Sequence, residues 1–585
     1  MLNIIEVNSK KTRVFGWIQD SGNIDALCNV VAIFDETSSF HNFLKTKLIP
    51  TLVKVKDGKN EMLQALESRP VALKYKMLTG GHTTPRSESP CDGIVQAAVK
   101  GQKREYIGDW PADNFVRWAQ AFGFIDYNYN KDTFSITDRG QALVKTVKAT
   151  ERKELLINAA LSYPPAYRIM SLLKTPGTIL TKFEIGENLG FTGEDGFISY
   201  PLSSIIAAMA ATGSSAKRSE IRSNWESSSD KYARTISQWL VSLGLLENAS
   251  KEIEVQYGNR MVSDTLGGYT ITPVGERYFR NCSGNSRHGK IQKLVSYEMF
   301  ATKGKDREYL RYRRSLILKF FADKNRKCTY EEICKFLNTY DLIEIEETIH
   351  DDVKGFVNLG LDFIVSEKDV EFNDSINDFP IPHYKNLTVK SELSTEKEAV
   401  RAKLKFISHE YLSLMDLAFD SKQNTLFEIK VMELFLHECN YNGDHLGGAN
   451  QPDGVLYTNN ADSHYGVIID MKAYSKGYAL PIGQRDEMLR YIRENIERDI
   501  KQNSKEWWKI FPNTIDEFYF MFVSGSFKGD MTEKLTKISM VNNVKGTAMP
   551  IVTALLLADR MKGKKMNDFD FKNGICNTEY QLKEK

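Results

Sequence analysis

One pattern of apolar and polar positions occurs three times in the first two thirds of the chain. In each copy, apolar residues at helical spacing lead to a glycine, and short stretches of alternating residues with a turn follow. The copies span residues 115–144, 232–279 (with an insertion) and 350–372. Helical spacing followed by two-residue alternation predicts a helix that leads into a β-hairpin.

The glycines of the three copies, Gly123, Gly244 and Gly360, stand just past the last apolar position of each helix, where a left-handed residue is needed. The first two copies also share a late strand, at 135–137 and 270–272, with a glycine three residues after its last threonine. Helix, glycine turn and hairpin together indicate a winged helix, whose recognition helix fits a DNA major groove about 12 Å wide. Winged helices also serve as protein-interaction modules, so both uses stay open.

The pattern changes twice towards the C-terminus. Residues 371–391 are polar, contain two prolines and lack sustained periodicity, which predicts a linker. A charged helical pattern begins at Glu392, and alternating strands and helices follow, as in an α/β domain. We therefore expect domains over residues 1–150, 151–290, 291–370 and 392–585.

Composition narrows the class of protein. A chain of 585 residues is too long for one core. Its 78 basic and 76 acidic residues give a net charge of +2, which excludes a uniformly basic surface but allows local basic patches. The seven cysteines are scattered without a CxxC pair, which favours reduced thiols in a cytoplasmic protein. No apolar run approaches the roughly 18 residues of a membrane span, so we expect no membrane association.

Candidate chemistry lies between residues 443 and 478. Asp453, within Pro-Asp-Gly, opens a short apolar strand, and after a polar turn a second apolar strand runs into Asp470-Met471-Lys472. Side chains two apart on a strand share a face, so Asp470 and Lys472 point the same way. If the two strands pair as a hairpin, Asp453 converges on them.

These residue types suit the hydrolysis of a phosphodiester. Two carboxylates and the Met471 carbonyl supply hard oxygen ligands for Mg²⁺. Lys472 can orient the attacking water, help to deprotonate it, or offset negative charge, and the sequence leaves these roles open. An ion-pair cluster at a strand end is the plainer alternative. A helix predicted over 424–439 adds Glu428, either as a third carboxylate or as an ordinary solvated side chain.

These motifs resemble the FokI type of type IIS restriction endonuclease, over nearly the whole chain. The stretches that carry the resemblance are TRVFGWIQ (12–19), RSESPCDGIVQA (86–97), WESSSDKYAR (225–234), DHLGG (444–448), QPDG (451–454), IIDMKAYSKGY (468–478), LPIGQRDEMLRYIREN (480–495), WWKIFP (507–512) and FVSGSFKG (522–529).

The resemblance implies a multidomain α+β protein, with three N-terminal winged-helix-type DNA-recognition domains and a C-terminal α/β nuclease domain of the PD-(D/E)xK type. It also implies a bacterial enzyme that binds a short asymmetric site in double-stranded DNA. With Mg²⁺, such an enzyme makes a staggered double-strand cut about one helical turn downstream and leaves 5′-phosphates.

The family's catalytic positions match Asp453, Asp470 and Lys472 without departure. One active site cannot cut two antiparallel strands at once, so two copies must meet, most simply through a transient two-fold dimer. The family's dimer helix matches at Asp486 and Arg490, although residues four apart on a helix can also pair with each other. A restriction role further implies a cognate DNA methyltransferase, since this chain has no GxGxxG-type cofactor loop.

The base-reading positions of the family carry over less completely. Positions that match are Gln19, Arg86, Gln102, Trp110, Glu226, Lys231 and Arg234. Asp20 and Ser223 depart, since the family has Asn at both. Asn bonds adenine in bidentate fashion, whereas Asp accepts from a donor such as the cytosine amine and Ser discriminates weakly.

Three other functions fit parts of the sequence. The protein could be a DNA-binding regulator with a silent nuclease fold, but the complete catalytic trio disfavours this. It could be a nicking enzyme that does not dimerise, which the retained Asp486 and Arg490 disfavour. It could also require modified bases, which activity on unmethylated DNA would exclude.

We predict that the recognition sequence keeps the flanking G·C pairs of the family's GGATG but differs at one or both central A·T pairs. Loss of one bidentate contact is worth about 1–3 kcal/mol, enough to change a preferred base. Run-off sequencing of a digested plasmid library checks this, and cuts confined to GGATG sites would contradict it.

Overall fold

The computed structural model describes residues 2–7, 16–54, 56–81, 89–257, 260–284, 287–323, 327–384, 387–460 and 463–582. The chain forms two compact units. The first comprises Met1–Phe191, Ser227–Lys251 and Leu266–Lys390, and the second comprises Thr192–Glu226, Glu252–Thr265 and Ser391–Lys585. Within the described ranges, no helix is long and apolar enough to cross a membrane.

Three segments of the chain precede the C-terminal domain. The first contains strands β1 (Ile4–Glu6), β2 (Leu73–Lys74), β3 (Ile125–Asn128) and β4 (Thr133–Ile136), and helices α1 (Ile24–Ala32), α2 (Ser39–Phe43), α3 (Ile49–Leu52), α4 (Lys56–Leu66), α5 (Tyr75–Thr79), α6 (Ile94–Ala98), α7 (Asp109–Ala121) and α8 (Asp138–Lys145). The second contains β5 (Leu180–Thr181), β6 (Leu246–Tyr257) and β7 (Arg260–Ile271), and α9 (Ala149–Ser162), α10 (Pro164–Leu172), α11 (Lys182–Glu187), α12 (Leu202–Ala210), α13 (Ser215–Asn224), α14 (Ser228–Ser242) and α15 (Pro273–Cys282). The third contains β8 (Lys327–Thr329), β9 (Phe363–Val365), β10 (Asp369–Phe372) and β11 (Ile381–His383), and α16 (Arg307–Asp323), α17 (Tyr330–Asn338) and α18 (Glu346–Leu359).

Each of these segments carries a three-stranded sheet with the same strand order. The orders are β2-β4-β3, β5-β7-β6 and β8-β10-β9. In each sheet an early strand lies at one edge, and the two later strands form the hairpin that follows the long helix, α7, α14 or α18. This is winged-helix topology, so the three winged helices predicted from the sequence are confirmed.

The glycine that ends each long helix adopts the backbone conformation that the pattern predicts. Gly123, Gly244 and Gly360 have φ angles of +69°, +77° and +112°. Side-chain-bearing residues rarely adopt these angles, whereas glycine does so without a steric penalty. The recognition helix of each module therefore ends at a defined residue before its hairpin begins.

The shared threonine connects the helix end to the next helix. The Thr137 hydroxyl donates to the Gly123 carbonyl oxygen (2.6 Å) and accepts from the Gly140 amide (3.1 Å) at the start of α8. Thr272 makes the equivalent bonds in the second module, at 2.8 and 2.9 Å. The threonine that the two modules share therefore has two structural roles. It closes the turn after the long helix, and it caps the N-terminus of the next helix.

The segment 371–391 differs from the predicted linker. Its strand β11 pairs in parallel with β1, with Ile381 opposite Ile4, and Phe379 and Ile381 are buried. The described residues between 371 and 390 therefore belong to the first compact unit, and Ser391 belongs to the second. Local periodicity could not reveal a pairing between two strands so far apart in sequence.

The C-terminal domain is an α/β structure built on one six-stranded sheet. Its strands are β12 (Asn442–His445), β13 (Gly454–Asn460), β14 (Ser463–Lys472), β15 (Phe518–Ser524), β16 (Gly546–Pro550) and β17 (Thr578–Glu579), in this spatial order. Its helices are α19 (Glu392–Arg401), α20 (Leu414–Leu417), α21 (Asn424–Glu433), α22 (Ile482–Glu497), α23 (Met531–Asn542), α24 (Ile551–Lys562) and α25 (Asp568–Asn573), with a π-helical continuation of α21 over Leu434–Glu438. The first three strands are antiparallel, and β14 to β17 are parallel.

The residues of β14 alternate between two buried clusters on the two faces of the sheet. Val467, Ile469 and Met471 pack in the cluster that includes α21 and α24, whereas Ile468 packs in the cluster that includes α22 and α23. Because side chains alternate along a strand, Asp470 and Lys472 project on the side of Ile468, towards the layer of α22. The sheet thereby carries two charged side chains at the end of an otherwise apolar strand.

Candidate active site

The hairpin of β13 and β14 brings the predicted catalytic residues to one end of the sheet. Gly454 pairs with Ile469, so that Asp453, which directly precedes β13, lies opposite the end of β14. Lys472 Nζ is 3.1 Å from Asp453 Oδ2 and 2.9 Å from Asp470 Oδ1. The three side chains that the sequence analysis selected therefore form one contact cluster.

The main chain holds this cluster in place. The Met471 amide donates a hydrogen bond to Asp453 Oδ2 at 2.7 Å. On the neighbouring strand β15, the Ser524 hydroxyl donates to the Lys472 carbonyl oxygen at 2.7 Å. Both bonds involve main-chain atoms of β14. The pairing of the sheet strands therefore fixes the position of the cluster.

Burial dominates the electrostatics of the cluster. Burial and, next, the charge of Asp453 raise the pKa of Asp470 well above its ordinary value. Burial alone would lower the pKa of Lys472, but the attraction of Asp470 and Asp453 outweighs it and raises that pKa. Lys472 is therefore an ammonium ion that offsets part of the negative charge of Asp453 and Asp470.

The donor set fits a divalent cation. Asp470 Oδ2 is buried and has no hydrogen-bond partner among the described residues, which is a costly arrangement unless a cation binds there. In the part of the chain that the structure describes, no three His, Cys, Asp or Glu side chains form a metal cluster. A metal at this position would thus be held by Asp453, Asp470 and the main-chain carbonyl of Met471, all hard oxygen donors.

Glu428, the predicted third carboxylate, lies in a neighbouring polar cluster. Its side chain is buried, so it is not a solvated helix residue. Asn424 Nδ2 donates to Glu428 Oε1, and His445 Nε2 lies 3.3 Å from Oε2. Burial raises the pKa of Glu428, although the hydrogen bond with His445 acts in the opposite direction.

Sequence reasoning missed the two partners of Glu428. Asn424 also accepts a hydrogen bond from the Ala473 amide (2.9 Å), directly after Lys472. His445 is the last residue of β12 and belongs to the DHLGG stretch. The sequence marks that stretch only through the family resemblance, because a lone histidine between Asp444 and Leu446 has no metal-ligand or nucleophile spacing.

Three of the predicted base-reading residues lie on the helices before the hairpins. Trp110 is the second residue of α7, and Lys231 and Arg234 are in the first half of α14. The N-terminal half of a recognition helix is the part that contacts bases. The other positions are Gln19 and Asp20 ahead of α1, Gln102 between α6 and α7, Ser223 in the last turn of α13 and Glu226 just before α14, while Arg86 lies outside the described residues.

Two of these residues, distant in sequence, contact each other. Arg234 Nη2 is 2.8 Å from Asp20 Oδ1, and the Asp20 amide donates to the Thr235 hydroxyl at 3.0 Å. Trp239 Nε1 donates to the Ser21 carbonyl oxygen at 2.5 Å. The segment before α1 is therefore bound along α14, which the sequence alone could not show.

Asp486 and Arg490, the predicted dimer residues, do not pair with each other. Arg485 Nη2 lies 3.0 Å from Asp486 Oδ1. Arg490 lies 3.7 Å from Glu494 Oε1 through Nε and 3.4 Å from Asn450 Oδ1 through Nη1. The simple intrahelical pair considered for these two residues is therefore absent.

Comparisons with known proteins cover most of the chain. Family models match as the FokI recognition domain subdomain 1 over residues 13–146, the FokI recognition domain subdomain 2 over 152–300, the FokI D3 domain over 300–368 and the FokI cleavage domain over 390–581. The type II restriction enzyme FokI of Planomicrobium okeanokoites is 41% identical in an alignment of length 568, which covers 94% of this chain and 96% of FokI. This chain belongs to the FokI family of type II restriction enzymes.

A second relative and two solved structures of FokI are also similar to this chain. The type II restriction enzyme StsI of Streptococcus sanguinis is 34% identical in an alignment of length 591, which covers 98% of this chain and 97% of StsI. The solved structures of FokI alone and of FokI bound to DNA each match with a TM-score of 0.91 and 40% identity, over 98% of this chain and 100% of theirs. The Asp453, Asp470 and Lys472 cluster lies within the region matched as the FokI cleavage domain, so this FokI-family chain is a site-specific DNA endonuclease with its charged site in that domain.

A further buried carboxylate lies on the edge strand of the FokI-type cleavage domain. Asp444, on β12, pairs with Val455 of β13, and burial raises its pKa from 3.8 to about 6. The folded state therefore holds the Asp444 proton more tightly than the unfolded chain does. Ionisation of Asp444 destabilises the fold above about pH 6, and this penalty disappears as the pH falls towards 4.

We predict that Asp444→Asn stabilises the metal-free protein by ~1–3 kcal/mol at pH 8 and has little effect at pH 4. Thermal or urea unfolding of both proteins at the two pH values measures this. Asp486→Asn, at an exposed position, is the control and should change stability by less than about 0.5 kcal/mol. A stability gain of equal size at both pH values would show that burial of the charge is not the cause.

Proposed function

We propose that this enzyme binds a short asymmetric site in double-stranded DNA and, with Mg²⁺, makes a staggered double-strand cut about one helical turn downstream. The observation that carries this proposal is the contact of one ammonium, Lys472, with the two carboxylates of Asp453 and Asp470 at the end of a buried hairpin. Family membership supports the type IIS class of cleavage.

Each residue of the cluster has a defined task in the hydrolysis. Asp453, Asp470 and the Met471 carbonyl would hold Mg²⁺, which when bound would stabilise negative charge on the phosphate and make a bound water more acidic. A water oxygen attacks phosphorus, the bond from phosphorus to the 3′-oxygen breaks, and the products are a 5′-phosphate and a 3′-hydroxyl. Lys472, an ammonium because its pKa is raised, donates to the phosphate oxygens and offsets the charge that develops there.

Glu428 contributes through its neighbours. Its contacts to Asn424 and His445 connect α21 with β12, and Asn424 also binds the Ala473 amide next to Lys472. We therefore assign Glu428 to the support of the strand end that carries the cluster. The metal set above does not require its carboxylate.

We assign sequence reading to the helices α7 and α14 and to the segment bound along α14. Lys231 and Arg234 suit guanine, Glu226 suits the cytosine amine, and Trp110 can cover a thymine methyl. Gln19, Gln102 and Ser223 complete the proposed set among the described residues, and Arg86 is proposed from the resemblance alone. The match to a solved structure of FokI bound to DNA supports double-stranded DNA as the partner.

The ion pair of Asp20 and Arg234 supports a changed recognition sequence. Asp20 Oδ1 occupies one side of the Arg234 guanidinium, so the two side chains approach DNA as one unit. An arginine that reads guanine beside an aspartate that accepts from cytosine favours G·C pairs at this point of the site. Asn at position 20 would favour adenine instead, as in the family.

We propose that two cleavage domains pair transiently through α22 and α23. The outer stripe of α22 carries the exposed residues Ile482, Asp486 and Ile496 at helical spacing. Met540 and Val541, near the end of α23, are 79% and 58% exposed. Exposed apolar side chains on adjacent helices fit a partner surface, and a second copy supplies the second active site that a double-strand cut needs.

We also place the enzyme in the bacterial cytoplasm, with a cognate DNA methyltransferase that protects the host's own sites. All seven cysteines are free thiols, which suits a reducing compartment.

Asp453→Ala or Asp470→Ala should lower the rate of DNA cleavage at least ~100-fold, because each removes a metal ligand. Binding of a short duplex in EDTA should be unchanged, since the recognition domains are intact. Asp516→Ala, an exposed aspartate of the same domain, is the control. Cleavage at the normal rate by either variant would refute the assignment, and binding without any cleavage by the natural protein in Mg²⁺ would identify a silent regulator.

Ile496→Glu should slow the formation of linear plasmid about tenfold and let nicked circles accumulate, because a buried charge at the interface weakens pairing. A higher enzyme concentration should restore linear product by mass action. The matched control is Ile364→Glu, because Ile364 lies outside the cleavage domain and is 59% exposed, against 56% for Ile496. Unchanged formation of linear product at low enzyme concentration would exclude α22 as the pairing surface.

A further inference from the structure

The loop of residues 446–453 ends at Asp453, and hydrogen bonds join its two ends. The Leu446 and Gly447 amides both donate to the Asp453 carbonyl oxygen, at 2.8 and 3.3 Å, and Gln451 Nε2 donates to the Leu446 carbonyl oxygen at 3.1 Å. Gly447 and Asn450 have φ angles of +59° and +65°, so the loop turns tightly. A displacement of this loop therefore moves Asp453 with it.

The buried side chain of Asn503, outside the charged cluster, binds the main chain of this loop. Asn503 Nδ2 donates one hydrogen bond to the Asn450 carbonyl oxygen (2.7 Å) and another to Glu494 Oε2 (2.9 Å). Its Oδ1 accepts from the Lys505 amide at 3.0 Å. Trp507 Nε1 also donates to Glu494 Oε2, at 2.8 Å. Asn503 thus uses its whole amide group to join the loop to a carboxylate on α22.

The burial of this network gives it rigidity. Glu494 and Asn503 are 5% and 7% exposed. A carboxylate this deep needs several donors, and a bond between an amide and a charged acceptor is stronger than a neutral one. Arg490 reaches the same loop through Asn450 Oδ1, but at 3.4 Å and near the surface. Asn503 is therefore the stronger of these two links between α22 and the loop.

We propose that Asn503 is a positioning residue for the metal site. By fixing the Asn450 carbonyl, it sets the loop and so the carboxylate of Asp453 relative to Asp470 and Lys472. The residue touches neither the metal nor the DNA, and the sequence gives no signal for it. This inference rests on the proposed Mg²⁺-dependent cleavage.

The test is Asn503→Ala in the full-length protein, with DNA cleavage rates measured over a series of Mg²⁺ concentrations. The Mg²⁺ concentration for half-maximal rate should rise ~10–100-fold, the range for residues that orient metal ligands. The affinity for a short duplex in EDTA should stay unchanged. The matched control is Asn460→Ala, because Asn460 Nδ2 also donates two hydrogen bonds, to Thr458 Oγ1 and Asp568 Oδ2, at the opposite end of β13.

A second readout needs no cleavage. Mg²⁺ should raise the melting temperature of the natural protein, as a ligand that binds only the folded state does. In Asn503→Ala the same rise should require ~10–100-fold more Mg²⁺. If the alanine variant does not fold, Asn503→Ser, an uncharged polar side chain too short to make both Nδ2 contacts, takes its place in both measurements.

Three results would overturn the role of Asn503. One is an unchanged Mg²⁺ dependence. Another is a DNA cleavage rate that falls by the same factor at all Mg²⁺ concentrations, which would indicate a general structural defect. The third is a loss of rate that disappears at high enzyme concentration, which means that Asn503 acts through domain pairing. Failure of the natural protein to cut DNA in Mg²⁺ would instead refute the proposed function, and the melting experiment would still test Asn503.

Discussion

The register in which β13 and β14 pair determines whether Asp453, Asp470 and Lys472 come into contact. Gly454 opposite Ile469 places Asp453 beside the end of β14, where Lys472 bridges two carboxylates. A slip by one residue would turn every side chain of one strand to the other face of the sheet. The apolar residues of β14 prevent this, because they fill two different buried clusters on the two faces. Packing in the two clusters thus fixes the positions of the charged side chains at the end of β14.

Much of this arrangement could be predicted from the sequence because it is local. The hairpin and its charged end follow from alternating apolar residues and a polar turn within about twenty positions. The winged helices follow from a repeated helix, glycine and hairpin, and the φ angles of Gly123, Gly244 and Gly360 agree with that pattern. Such features depend on residues that are close together in the chain, so they can be predicted from one sequence.

The features that sequence reasoning missed join distant segments. Asp20 with Arg234, β1 with β11, and Asn503 with the Asn450 carbonyl are contacts that no periodicity or spacing encodes. A polar segment with prolines resembles a linker whether or not a remote strand pairs with it. An asparagine that binds a main-chain carbonyl resembles any surface asparagine. The residues of the charged cluster were thus predictable, whereas the contacts between distant segments around it were not.

The parallel pair of β1 and β11 affects where this protein can be divided. A nuclease fragment that starts at residue 371 would take β11 away from β1 and leave an unpaired strand edge on the remaining module, which invites aggregation. A junction at residue 391 leaves the pair intact, since Lys390 ends the first compact unit. Chimeras that attach this cleavage domain to a foreign DNA-binding protein should therefore be joined at Ser391 and not at the start of the proline-containing segment.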